Sequence, residues 1–234
     1  MKKYILLFSG MMVLMALGQV LKGQTVADEL KAIEAAYDRL EGLSGVSVTT
    51  LHALKADGSA GSVIEETQGR MVWTRTLKYE EMGGLRRIYS GGRAVLVDTE
   101  ERRVTVSGDL PTSTDVSRIP AFSKPAEQML KEANASALLP VRDGLSVIRL
   151  TYSTGSFASI NFHYRPDSYV LQRVEMEVRA TADEPAMLLV TEMKDMVANP
   201  QIAPAQYSTE SVVVEQGGRL TLTAAYQNYQ LIQL

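Results

Sequence analysis

Between Leu145 and Ala180 apolar and polar residues alternate with a period of two through three successive runs, parted by Ser153-Thr154-Gly155 and by Pro166-Asp167-Ser168. That period belongs to a strand with one buried face. Ile148, Leu150 and Tyr152 share one side of the first run; Ile160, Phe162 and Tyr164 share one side of the second. Val174, Met176 and Val178 do so in the third, whose other side carries Arg173, Glu175, Glu177 and Arg179, residues that belong in water. The stretch predicts an antiparallel meander, apolar inside and wet outside.

The same pattern extends over the rest of the chain. Val46 to Leu51 predicts a first strand, with a turn at Asp57-Gly58 leading into a long extended stretch from Val63 to Tyr79. On that stretch Met71, Trp73, Leu77 and Tyr79 are expected on one face, interrupted by Arg75. Gly83-Gly84 and Gly91-Gly92 set off Leu85 to Tyr89 and Arg93 to Asp98, and Arg102 to Ser107 follows. Ala186 to Val197 reads as a later strand, and Gln216-Gly217-Gly218 as the turn of a last hairpin.

Two segments switch to helical spacing. Val26, Leu30, Ile33, Tyr37 and Leu40 recur on one stripe behind a Thr25 cap, with Gly42 as the stop. Ala126, Met129, Leu130 and Ala133 form a second stripe behind Ser123, with Pro125 in the first turn and the helix ending before Pro140. Between strands and second helix, Gly108 to Pro120 loses all periodicity and predicts a loop. The polar face of the first helix mixes acids and bases, so its stripe is expected to pack on the sheet rather than lie on a membrane.

The first two dozen residues change the picture of where the chain works. Lys2-Lys3 forms a positive n-region and Ile5 to Leu17 an apolar run shorter than a bilayer span. This predicts a signal peptide over residues 1–23, cut before Gln19 or before Gln24. There is no cysteine, which excludes disulfide staples, thiolate metal sites and a lipidated N-terminal cysteine. The formal net charge of -3 gives no electrostatic case for nucleic acid.

Residues that could carry chemistry are few. His52 and His163 are the two histidines, both in strand-like runs on the expected outer face, and no further ligand spacing accompanies them. No nucleophile motif or phosphate loop occurs. The expectation is a protein without catalytic residues, metal or cofactor. What stands out is methionine: Met71, Met129, Met176, Met187 and Met193 fall on expected inner faces. Flexible, polarisable methionine suits surfaces that accommodate variable apolar shapes, although it also serves ordinary core packing.

The order of elements resembles the LolA-like family of periplasmic lipoprotein carriers: amphipathic helix, strands, helical interruption, strands. The segment GGRAVLVDTEERRVTVS is similar to a hairpin of that family, as is FASINFHYRPDSYVLQRVEMEV. Asn199 to Tyr207 resembles its segment after the last barrel strand. The resemblance implies an α+β fold, an incomplete antiparallel β-barrel with amphipathic helices on the concave face as a lid. It implies one domain over residues 24–234, with an extra C-terminal hairpin at about 208–234. An apolar cavity for lipid or lipoprotein acyl chains is then expected to be lined by Met71, Trp73, Leu77, Tyr79, Ile160, Phe162, Tyr164, Val174, Met176 and Val178. Leu30, Ile33, Tyr37, Met129 and Leu130 would face it from the lid, and Arg70 and Arg75 are candidates by position for a lid-closing arginine. The expected protein is a soluble periplasmic monomer served by a membrane-bound donor or acceptor. The competing expectation is an interaction, assembly or sensor module whose barrel is filled by its own side chains. A continuous cavity under the helices would favour the carrier.

Overall fold

The computed structural model describes residues 25–108 and 125–234. The expected signal peptide and Ser123 lie outside these residues. A helix α1 (Val26–Tyr37) precedes the strands β1 (Gly42–Leu54), β2 (Ala60–Thr74), β3 (Leu77–Met82), β4 (Leu85–Ser90), β5 (Arg93–Asp98) and β6 (Arg103–Ser107). A second helix α2 (Ala126–Glu132) precedes β7 (Ala135–Arg142), β8 (Leu145–Thr151), β9 (Phe157–Tyr164), β10 (Leu171–Val178) and β11 (Met187–Ala198). The chain ends in a short helix α3 (Pro204–Tyr207), β12 (Val213–Gln216), β13 (Arg219–Leu222) and β14 (Gln230–Gln233).

Twelve strands form one sheet in the order β14-β6-β5-β4-β3-β2-β1-β11-β10-β9-β8-β7. Each half is a helix followed by an antiparallel meander, and pairing of β1 with β11 joins the halves. The result is a strongly curved, unclosed sheet: the α+β incomplete barrel that the sequence implied. Two-residue turns hold the hairpins. Gly91-Gly92 and Asp143-Gly144 take positive φ at both positions, matching the right-handed twist of the flanking strands. Among the described residues no helix is long and apolar enough to cross a membrane.

α1 begins as the sequence predicts. The Asp28 amide donates to Thr25 Oγ1 at 3.2 Å and the Thr25 amide to Asp28 Oδ2 at 3.0 Å, a reciprocal capping box. Donation to its carboxylate from the Thr25 amide first, and from the Thr25 hydroxyl second, holds the Asp28 carboxyl below its ordinary pKa. Two expectations are corrected. Gly42, read as a helix stop, is the first residue of β1, because the helix already ends at Tyr37. Pro125, expected inside the first turn of the second helix, is its N-cap; the helix ends at Glu132, before Pro140 as predicted, and Ala135–Arg142 pairs with β8 as an edge strand. Pro140 sits there at a register shift, where its missing N–H costs no ladder bond.

Two cores form on opposite faces. Leu30, Ile33, Tyr37, Ala126 and Met129 from the helices pack on the inner face with Leu43, Met71, Trp73, Ile148, Leu150, Phe162, Tyr164, Leu171 and Val174. Val72, Leu77, Tyr79, Ile88, Val95, Val97, Val104 and Val106 face the other way and are covered by Val212, Val213 and the rest of the C-terminal segment. β14 then pairs in parallel with β6 and covers that edge.

Candidate ligand groove

The lid helices are fastened at named points. The Ala126 amide donates to Glu34 Oε1 at 2.7 Å, joining α2 to α1. The Leu171 amide donates to the Tyr37 hydroxyl at 3.2 Å, and burial pushes the Tyr37 phenol up to about 12. The Tyr164 hydroxyl donates to Glu29, a carboxyl only 5% exposed. Burial first, and that acid second, push the Tyr164 phenol upward. Arg75, one of the two candidate arginines, donates to the Asp38 carbonyl at the end of α1. Arg70, the other, lies 5.8 Å over the Tyr207 ring among the outer-face residues.

Beneath the helices the inner face is filled. Leu30, Ile33, Ile148 and Leu150 are wholly buried in one cluster with Trp73 and Phe162. The open apolar space lies beside the lid, where β4, β3, β2, β1, β11 and β10 expose their inner face. It is a groove of about 340 Å³ lined by Ser47, Thr49, Met71, Met82, Leu85, Val174, Met176, Thr191 and Met193. Glu80 and Arg87 stand at the β3–β4 end. That size is at the lower end for sites that take organic ligands, and the wall interleaves its methionines, Leu85 and Val174 with the polar Ser47, Thr49, Thr191, Glu80 and Arg87. Arg70 and Glu81 also border it. Alternation sends their side chains to the face opposite Met71 and Glu80.

The structure therefore divides the sequence-predicted residues. Met71, Val174 and Met176 line the groove. Trp73, Phe162 and Tyr164 sit under the lid with Leu30, Ile33, Tyr37 and Met129, while Ile160 and Leu130 are half-buried against them. Val178 is half-buried farther along β10, opposite Met187 and Phe157. Leu77 and Tyr79 are corrected: they face outward with Val72. The tight turn at Arg75-Thr76 pairs Val72 with Tyr79 and Trp73 with Lys78, so odd positions of β2 share a face with even positions of β3. Counting alternation straight through that turn inverted β3, and it concealed Glu80 and Met82, which share the face of Met71. Leu85 and Arg87 follow through the β3–β4 pairing.

The outer face of β8–β11 is also not simply wet. His163 is 5% exposed there, with Nε2 at 3.4 Å from Glu175 Oε2. Asn161 Nδ2 donates to the same oxygen at 3.0 Å, and Arg173 lies at 2.7 Å from the other. Contact with His163 is the first of the causes that hold the Glu175 carboxyl down, against burial, at about 2. The four residues expected in water form a laced polar layer instead: Arg149 and Ser159 reach Glu177, and Arg179 donates to the Tyr152 carbonyl. No group of three or more His, Cys, Asp or Glu residues suited to a metal occurs among the described residues.

The segment Asn199 to Tyr207 joins the two halves. Asn199 adopts a φ of 49°, and its Oδ1 accepts from the Glu41 amide at 2.7 Å while its own amide donates to the Gly42 carbonyl at 2.8 Å. Asparagine tolerates this left-handed conformation better than most residues. Tyr207 meets Tyr79 edge to face at 5.0 Å on the outer side.

No protein-family model matches the chain, and no curated protein matches its sequence. Among solved structures it is similar to an uncharacterized conserved protein from Thermus thermophilus, at 10% identity over 90% of this chain and 100% of that one, with a TM-score of 0.50. It is also similar to a LolA superfamily protein from Nitrosomonas europaea, at 9% identity over 81% of this chain and 100% of that one, with a TM-score of 0.40. A third is the MucA/MucB complex of Pseudomonas aeruginosa, at 12% identity over 85% of this chain and 63% of that one, with a TM-score of 0.40. At 10% identity the likeness to the Thermus thermophilus protein is one of fold alone. That fold, in this chain, is a helix leading into each half of one curved, unclosed sheet, with both helices laid on its inner face.

Proposed function

We propose that the protein is a non-catalytic periplasmic carrier that holds the acyl chains of lipid or lipoprotein in the groove beside its lid and delivers them toward the outer membrane. One observation carries the reading: an open, methionine-lined groove on the inner face, continuous through Met71 with the core beneath the helices. Apolar area leaving water would supply affinity at about 0.8 kcal/mol per methylene, before ordering costs. Met71, Met82, Met176 and Met193 give that area without imposing one shape. The leader-like N-terminus supports export, and a membrane-bound donor or acceptor would complete the route. The competing interaction-module reading draws on the filled interior beneath the helices, where Leu30 and Ile33 leave no exposed surface.

The test is binding. Native mass spectrometry of the mature protein is expected to reveal bound lipid. Emission of Trp73, buried next to the groove in the cluster that holds Met71, is expected to shift when the delipidated protein is titrated with a triacylated peptide. Met176→Glu with Met193→Glu, both at half-buried positions, should abolish that shift while leaving the fold intact. An unmoved emission with no heat of binding in calorimetry would remove the carrier reading and leave the interaction module.

A further inference from the structure

Several charged side chains stand on the inner face near the groove, most of them in ion pairs. Lys78 Nζ lies 2.9 Å from Glu80 Oε1, and Arg103 lies 3.8 Å from Asp98 and 2.8 Å from Glu101. Arg87 is exposed, lies opposite Glu80 across the β3–β4 pair and lines the groove. Among the described residues it has no hydrogen-bond or ion-pair partner. With Glu80 engaged by Lys78, the Arg87 guanidinium is left at this rim with its donors unused.

The groove thus has a direction. It crosses six neighbouring strands from β4 to β10, five spacings or on the order of 24 Å. Its β4 end holds a guanidinium, and its β10–β11 end holds Val174, Met176 and Met193. A guanidinium offers a planar fork of donors that matches carboxylate and phosphate oxygens. Resting on the carrier reading, we infer that the groove selects amphiphiles with a single anionic headgroup, seated with the head at Arg87 and the tail running toward Met176.

The consequence is a headgroup order at fixed tail length. In displacement of the neutral dye N-phenylnaphthylamine from the mature protein at low salt, decanoate should compete better than decanol. Decyltrimethylammonium should compete worst. The margin of decanoate over decanol is about fivefold, the upper end of what an exposed ion pair supplies, and it shrinks as salt rises. Acetate, which has the head without the tail, should not displace the dye. Arg87→Lys should keep the order, Arg87→Ala should level decanoate with decanol, and Arg87→Glu should place the ammonium ahead. Arg87 is exposed, so thermal unfolding should be unchanged in all three variants. Equal competition by all three amphiphiles, or a preference that survives Arg87→Ala, would overturn the headgroup assignment and leave the groove reading standing. Failure of every amphiphile, and of the dye itself, would remove the groove reading with it.

Discussion

Replacing Tyr164 by Phe tests the fastening of the lid with a single oxygen atom. Tyr164 is 2% exposed and its hydroxyl donates to Glu29 on α1. The ring also stacks on Tyr169 at 5.7 Å, and Phe keeps that contact. The change therefore removes a donor and leaves a buried carboxyl group without it. A buried acceptor stranded by loss of its donor costs about 1–3 kcal/mol, and more for a group that can carry charge. Tyr164→Phe should destabilise by about 3 kcal/mol. Glu29→Leu strands only a neutral hydroxyl and should cost about 1–2 kcal/mol. The double variant removes both polar groups and should be more stable than Tyr164→Phe alone, a coupling that independent sites do not show. Urea melts at unchanged slope give the three values. Amide exchange should quicken in α1 more than in β9, since the bond joins the two. A Tyr164→Phe loss below about 0.5 kcal/mol, or costs that simply add, would refute the latch.

Three further outcomes follow from the packing and the charges. Leu30→Asp or Ile33→Asp places a charge where no exposed surface exists, and circular dichroism should show a chain that is unfolded or has lost α1. Glu175 has a folded-state pKa depressed from 4.5 to about 2, so its contribution is present above about pH 4.5 and is lost as pH falls toward 2. After allowance for solvent screening that contribution is about 2 kcal/mol; Glu175→Gln should lower thermal stability at pH 7 and match wild type near pH 2. A chain stopped after Tyr207 lacks Val212 and Val213, each worth about 1.5–3 kcal/mol, and uncovers Ile88 and Val95. It should aggregate or yield to protease at β3–β6, where the full chain resists.

Elements with strong local signals were legible in the sequence. The period-two runs and the turns at Gly155 and Asp167 located β8, β9 and β10, and the Thr25–Asp28 pairing located the start of α1. Alternation along a single strand also assigned Met71, Val174 and Met176 to the inner face correctly. What alternation cannot carry is parity across a turn, since a connection one residue longer or shorter reverses every side chain beyond it. Leu77 and Tyr79 moved to the outer face for that reason, and Glu80, Met82 and Arg87 came onto the inner one. The burial of His163 was equally hidden. It depends on Asn161, Arg173 and Glu175, which adjacent strands bring together from sequence positions that carry no local mark of it.

Consecutive burial of Met71, Val72 and Trp73 shows what the two coverings of the sheet achieve together. A strand buried on one face would leave the middle residue in water; here both faces of β2 are covered near its end, by different parts of the chain. The helices cover the inner face of β8–β10 and leave its outer face to the polar layer around Glu175. The C-terminal segment covers the outer face of β3–β6 and leaves the inner face of β3 and β4 open at Glu80, Met82, Leu85 and Arg87. The groove lies where these arrangements cross, so that Met71 belongs to the inner core and to the groove wall at once. The groove's β3–β4 end thereby rests on strands covered from behind, while the lid beside it is held by its buried stripe of Leu30, Ile33, Tyr37 and Met129 and by hydrogen bonds at Glu29, Tyr37 and Arg75.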